Sequence, residues 1–200
     1  MRQATKLLAM KFVLTATVLV VLLAGPAGAQ SRDENWAFCE SGDPDRGISA
    51  CTTLIESGAE TVENLAIAHS NRGITYSDKG QFEQAIADYE RALQLQPGLT
   101  VALNSLAWDL ATMPVVDRRD GRRAVEFAER ALATSPDEPG FLDTAAAAYA
   151  DAGRFADAVA AQERAIALLR QTGSSPDAAL DDFNNRLRLY QAKRPFHRTR

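Results

Sequence analysis

The residue types that most often carry chemistry are few in this sequence. Cys39 and Cys51 are its only cysteines, and His69 and His197 its only histidines. The cysteine spacing fits neither a zinc site nor a C-x-x-C redox pair. Histidines so far apart in sequence do not suggest a metal centre. Asp117-Arg-Arg-Asp-Gly-Arg-Arg123 is the sharpest charge cluster, and it reads as a solvated turn followed by a helix start. Asp181 and Asp182 are adjacent, but neighbours on a helix diverge by about 100°, so they form no acid–base dyad. No G-x-S-x-G, H-E-x-x-H, phosphate-binding glycine loop or dinucleotide fingerprint occurs. The chain is therefore expected to be no enzyme and to need neither cofactor nor metal.

The elements behind these residues are best approached through composition. Hydrophobic residues make up 46% of the 200, yet aromatics only 7%. That balance favours close helix–helix contacts through small residues over a bulky sandwich core. The formal net charge is −4. Without a basic excess, nucleic acid is not expected as a partner.

The first 29 residues read as a leader. Arg2, Lys6 and Lys11 are basic, and no acid precedes Asp33. Phe12 to Ala24 is an apolar run of thirteen residues, shorter than the about 20 that span a bilayer. Gly25-Pro26 breaks it, and Ala27-Gly28-Ala29 has the small-x-small form of a cleavage site. This pattern predicts cleavage after Ala29, an exported chain that is periplasmic or secreted, and no membrane contact once the leader is gone. An even cysteine count in an exported chain predicts a Cys39–Cys51 disulfide.

The remaining chain repeats. Gly73, Tyr76, Gly80, Phe82, Ala85, Tyr89 and Ala92 in one stretch recur, offset by 73, as Ala146, Tyr149, Gly153, Phe155, Ala158, Gln162 and Ala165. The offset equals two units of about 34 residues plus five more, which fit the loop at Pro114–Gly121. A third copy lies between them. Leu106, Ala107 and Leu110 stand on its first helix, and Ala124, Ala128, Ala131 and Pro136 on or after its second. Phe38, Gly42, Pro44, Gly47, Cys51 and Leu54 mark a partial copy before them. Each unit carries two apolar faces at the helical period, separated by a turn. One such hairpin cannot bury its own apolar face, but stacked copies can.

This pattern resembles the tetratricopeptide repeat family over most of residues 36–169. The resemblance implies an all-α solenoid of helical hairpins, with repeats at about 33–58, 66–99, 100–136 and 139–172, within a domain spanning 30–192. After Thr172-Gly-Ser-Ser-Pro176, a capping helix is expected over 177–192. Asp177 would be its N-cap, and Leu180, Phe183, Leu187 and Tyr190 its apolar stripe. Residues 193–200 are basic and expected to fray. By the same resemblance, the first helix of each hairpin lines a concave groove. Ile67, Ser70, Asn71 and Ile74 would face it from one repeat, Asn104, Ser105, Trp108 and Thr112 from the next, and Asp143 and Thr144 from the last. No lysine or arginine stands at these positions, so capture of a peptide's terminal carboxylate is not expected. Trp108 is the expected anchor, because buried tryptophan often dominates interface energy.

The register also bears on the cysteines. Cys51 falls where the next repeat has Tyr89, and Cys39 follows Phe38, the counterpart of Tyr76. If those tyrosines pack across their hairpin, the cysteines lie within bonding reach. The functional reading is an exported protein–protein interaction scaffold that binds a peptide or helix in its groove. The alternative is an assembly factor acting through the solenoid ends, and a homo-oligomer is left open.

Overall fold

The computed structural model describes residues 30–172 and 177–199. The expected leader at 1–29, the link at 173–176, the Thr172 and Asp177 side chains and Arg200 lie outside the described residues. The described residues from Ser31 on form one compact unit. Among the described residues there are nine α-helices and no strand. They are α1 (Arg32–Ser41), α2 (Gly47–Glu56), α3 (Val62–Asp78), α4 (Phe82–Leu95), α5 (Thr100–Thr112), α6 (Gly121–Thr134), α7 (Pro139–Asp151), α8 (Phe155–Thr172) and α9 (Asp177–Gln191). A 3-10 turn, Val116–Arg118, sits in the long loop before α6.

The helix starts follow from local chemistry. Ser31 Oγ accepts from the Glu34 amide while Glu34 accepts from the Ser31 amide, a complete capping box for the short α1. Thr61 and Asp120 cap α3 and α6 through their side-chain oxygens. Pro139 opens α7 at its first position, where its missing N–H costs nothing. The structure starts α2 at Gly47, after Pro44, although proline suits a first helical position. Asp43 Oδ1 accepts from the amides of Asp45 and Arg46, each at 2.9 Å. That side-chain turn holds Pro44 outside the helix and delays its start.

Helices α1–α8 pair as four hairpins, and α9 packs on α8. The first helices also meet one another, α1 with α3, α3 with α5, α5 with α7 and α7 with α9. This is an all-α solenoid of about four repeats closed by a capping helix. The small residues set its tightness. Ala66, Ala85, Ala92, Ala124, Ala128, Ala131, Ala146, Ala158 and Ala165 are all buried. A methyl group built on Gly73 would lie 2.6 Å from the ring of buried Tyr89. The first hairpin shares a small core with α3, made of Cys39, Ala50, Cys51 and Leu54 against Ala68. In it Cys39 and Cys51 are joined by a disulfide, with Cα atoms 4.9 Å apart.

Three first-position helices end alike. Gly80 follows α3 with φ 72° and Gly153 follows α7 with φ 77°. The amides of Gly80 and Gln81 donate to Ser77 and Tyr76, and those of Gly153 and Arg154 to Ala150 and Tyr149. At the end of α9, Lys193 takes the same place with φ 53°, and the amides of Lys193 and Arg194 donate to Tyr190 and Leu189. This is the Schellman closure, built once on lysine. The capping helix therefore ends like the first helix of a further repeat, and the chain turns back toward the preceding helices.

Candidate functional site

The ten residues expected to line a groove stand on the first helices and fall into three groups. Ile74, Asn104, Ser105 and Trp108 line one pocket, together with Ser77, Asp109, Tyr89 and Arg198. Asn104 Oδ1 is buried there without a partner among the described residues. Ile67 is exposed, and Asn71 is half-buried with its carbonyl taken by the Thr75 hydroxyl. The other four are buried. Ser70 is 2% exposed and Thr144 3%, and the Thr144 hydroxyl donates to the Gly140 carbonyl. Thr112 donates to the Trp108 carbonyl. Asp143 accepts from Arg186 Nε and Gln162 Nε2, both at 2.7 Å. Side chains this short cannot reach past the neighbouring first helix, so Ser70, Thr112, Asp143 and Thr144 serve packing more than contact.

The groove is not empty. Residues 194–199, expected to fray, cross the last turns of α7, α5 and α3. Phe196 lies beside Trp108, with ring centroids 5.9 Å apart. Arg186 from α9 sits 5.6 Å from the Trp108 ring and 5.5 Å from that of Phe196. His197 Nε2 is 3.0 Å from Asp151 Oδ1 at the end of α7. The Arg198 amide donates to the Thr112 carbonyl at 2.8 Å. Its guanidinium donates to Asp109 Oδ1 at 2.5 Å and to Ser77 Oγ at 3.1 Å, and covers the Phe82 ring at 4.6 Å. Helix C-termini carry unsatisfied carbonyls and partial negative charge, which suits a basic segment. Composition alone could not show this. The signal lay in Lys193-Arg-Pro, where an exit turn followed by proline ends a helix and redirects the chain.

Three buried carboxylates organise the face. Burial acts to raise the Asp88 carboxyl, but hydrogen bonds from Arg72 and His69 outweigh it and hold it below the ordinary range. That pairing occupies Arg72, so it is no ligand clamp. Burial raises Asp109 above the ordinary range despite Arg198 and Ser77. Burial likewise raises Asp143 despite Arg186 and Gln162. Beside Arg198 and Thr199 opens a cleft of about 680 Å³, lined by Lys79, Phe82, Met113, Pro114 and Val115 among others. Among the described residues, no group of three histidine, cysteine, aspartate or glutamate side chains could hold a metal ion.

Residues 66–99 match the tetratricopeptide repeat. No curated protein matches the chain. Among solved structures it is similar to MamA from Desulfovibrio magneticus RS-1, residues 41 to the end. The identity there is 16%, with 81% of this chain and 86% of that one covered and a TM-score of 0.57. It is also similar to MamA of AMB-1, at 16% identity over 81% and 89% of the two chains, TM-score 0.56. MamA of MSR-1 follows at 15% identity over 81% and 93%, TM-score 0.54. These likenesses show the solenoid fold. The repeat supports a general protein-interaction or scaffolding role. One expectation is corrected. Recognition as an exported family member, periplasmic or secreted, does not agree with the likeness to MamA and is withdrawn. A basic start before a short apolar run is a local pattern on which the folded repeats do not depend. Among the described residues no helix is long and apolar enough to cross a membrane.

Proposed function

We propose that the scaffold binds an extended segment of a partner protein along the face of α3, α5 and α7, with Trp108 as its anchor. The observation that carries this reading is the chain's own tail. An irregular segment already lies there, with an aromatic ring on Trp108 and a backbone amide on the Thr112 carbonyl. Selection of peptides from a random library against the full chain tests it. Selected peptides should lose binding to Trp108→Ala while the melting temperature of that variant stays within a degree or two. A fall of several degrees, as a loss of about 1–2 kcal/mol implies, with binding retained, would make Trp108 a packing residue and remove the anchor.

A second reading places the partner on the ends of the solenoid. It is favoured by the same tail, which already lies on the face that the first reading gives to the partner. A mass by light scattering that rises with concentration, and is unaffected by Trp108→Ala, would support it.

A further inference from the structure

The tail also defines what the groove recognises. We propose that residues 195–199 are a built-in occupant, and that the partner is an extended protein segment carrying an aromatic residue and, two positions on, an arginine. Such a segment displaces the tail by taking over both contacts. This rests on the groove reading above and specifies it.

The two positions are unequal in their demands. The aromatic site is a corner formed by Trp108 and Arg186, each beside the Phe196 ring and beside the other, where a flat ring gains contact area. The cation site is stricter. Asp109 is 1% exposed, and its hydrogen-bond partners among the described residues are the Ser77 hydroxyl and the Arg198 guanidinium. A segment that lifted the tail without bringing a cation would leave a buried, uncompensated carboxylate, which is strongly unfavourable. Arg198 also uses different guanidinium nitrogens for Asp109 and Ser77 while lying over Phe82. A planar fork meets that set of contacts and a lysine does not.

Competition with the tail is built in by its length. It follows α9 after a two-residue turn, so its effective concentration at the groove is on the order of mM or higher. A second copy's identical tail cannot outcompete it at ordinary concentrations. A foreign segment can, if it adds contacts that the tail does not make. The cleft beside Thr199, with Phe82, Met113, Pro114 and Val115 in its wall, lies where residues following the arginine would run.

The test uses the full chain and a labelled peptide with the sequence of residues 193–199, followed by anisotropy. The Phe196→Ala/Arg198→Ala variant should bind the peptide about tenfold more tightly than wild type, because apparent affinity scales with the fraction of open grooves. Alanine at either the aromatic or the arginine position of the peptide should abolish binding. Circular dichroism confirms the fold. If the double variant is unfolded, Phe196→Ala alone, which keeps the Arg198–Asp109 pair, should show the same direction with a smaller ratio. Equal affinity of wild type and variant would overturn the proposal. Equal binding of a scrambled peptide would overturn the recognition pattern and leave the groove reading standing. No binding of any peptide to the folded variant would end both. A doubled mass in wild type that disappears in the variant would assign the tail to a second copy and overturn the foreign segment.

Discussion

Lys193 shows how much one residue decides. It is the only non-glycine residue with positive φ among those described, and it turns the chain from α9 back to the groove. Left-handed backbone costs an L-residue roughly 1–2 kcal/mol, of which glycine's greater freedom in the unfolded chain offsets about 0.5–1 kcal/mol. Lys193→Gly should therefore raise the melting temperature by about 1–3 °C. A lower melting temperature would mean that the exit turn is not under strain. Asp88 tests the buried pairs. Removing one partner of a buried ion pair costs about 3 kcal/mol, so Asp88→Asn should lose about that much in urea titrations at pH 7. Because its carboxyl is held below the ordinary value of 3.8, its contribution is complete above that pH and is lost as the pH falls through the folded value. Wild type and variant should converge in acid. Asp109 and Asp143 have the opposite sign. They are held high, so their ionisation costs stability as the pH rises from the unfolded value through the folded one. Register places all ten expected residues on first helices, and Trp108 and Ile74 line one pocket there. It does not show that Ser70 and Thr144 are buried, because register gives a direction and not how far the neighbouring helix covers it.

Among the helices, the glycine and alanine positions made the hairpins legible. Gly73 faces Tyr89 so closely that Gly73→Ala should cost about 1–3 kcal/mol by overpacking, read as a lower urea midpoint with unchanged slope. The first hairpin is a different case. Its helices are ten residues each, and isolated helices that short are marginal in water. Its bridge spans a sequence separation of 12, and closing a loop of that size is worth roughly 3 kcal/mol in the chain-entropy model. Reduction should raise amide exchange in α1 and α2 first and leave α5 to α8 protected, since solenoid repeats contact only their neighbours. Uniform loss of protection would show that the hairpin is not a separate unit. The late start of α2 was hidden because proline suits both a helix start and a turn, and only the Asp43 side chain separates the two. The tail was hidden for a related reason. Glycine announces the exit turn after α3 and α7, while after α9 a lysine takes its place and only the following Arg-Pro marks the turn.

For the whole molecule, the tail adds what a solenoid lacks. Repeat stability is close to a sum of local terms, so the ends of such a chain unfold with little knowledge of each other. Here Arg198 bonds to Ser77 across 121 residues and to Asp109 across 89. It ties α3 and α5 to the segment that leaves α9, past the intervening α7 and α8. That contact should make α3 to α9 open more nearly as one unit. The urea slope reports the surface exposed in a single cooperative step, so it measures this coupling directly. In Phe196→Ala/Arg198→Ala the slope should fall and the transition broaden, and circular dichroism and tryptophan fluorescence should cease to coincide. Fluorescence follows Trp36 in α1 and Trp108 in α5, which would then report different steps. A second variant separates coupling from simple destabilisation. Gly73→Ala weakens one hairpin and leaves the tail in place, so its midpoint should fall with the slope kept. If both variants shift the midpoint and neither changes the slope, the tail occupies the groove without joining the repeats.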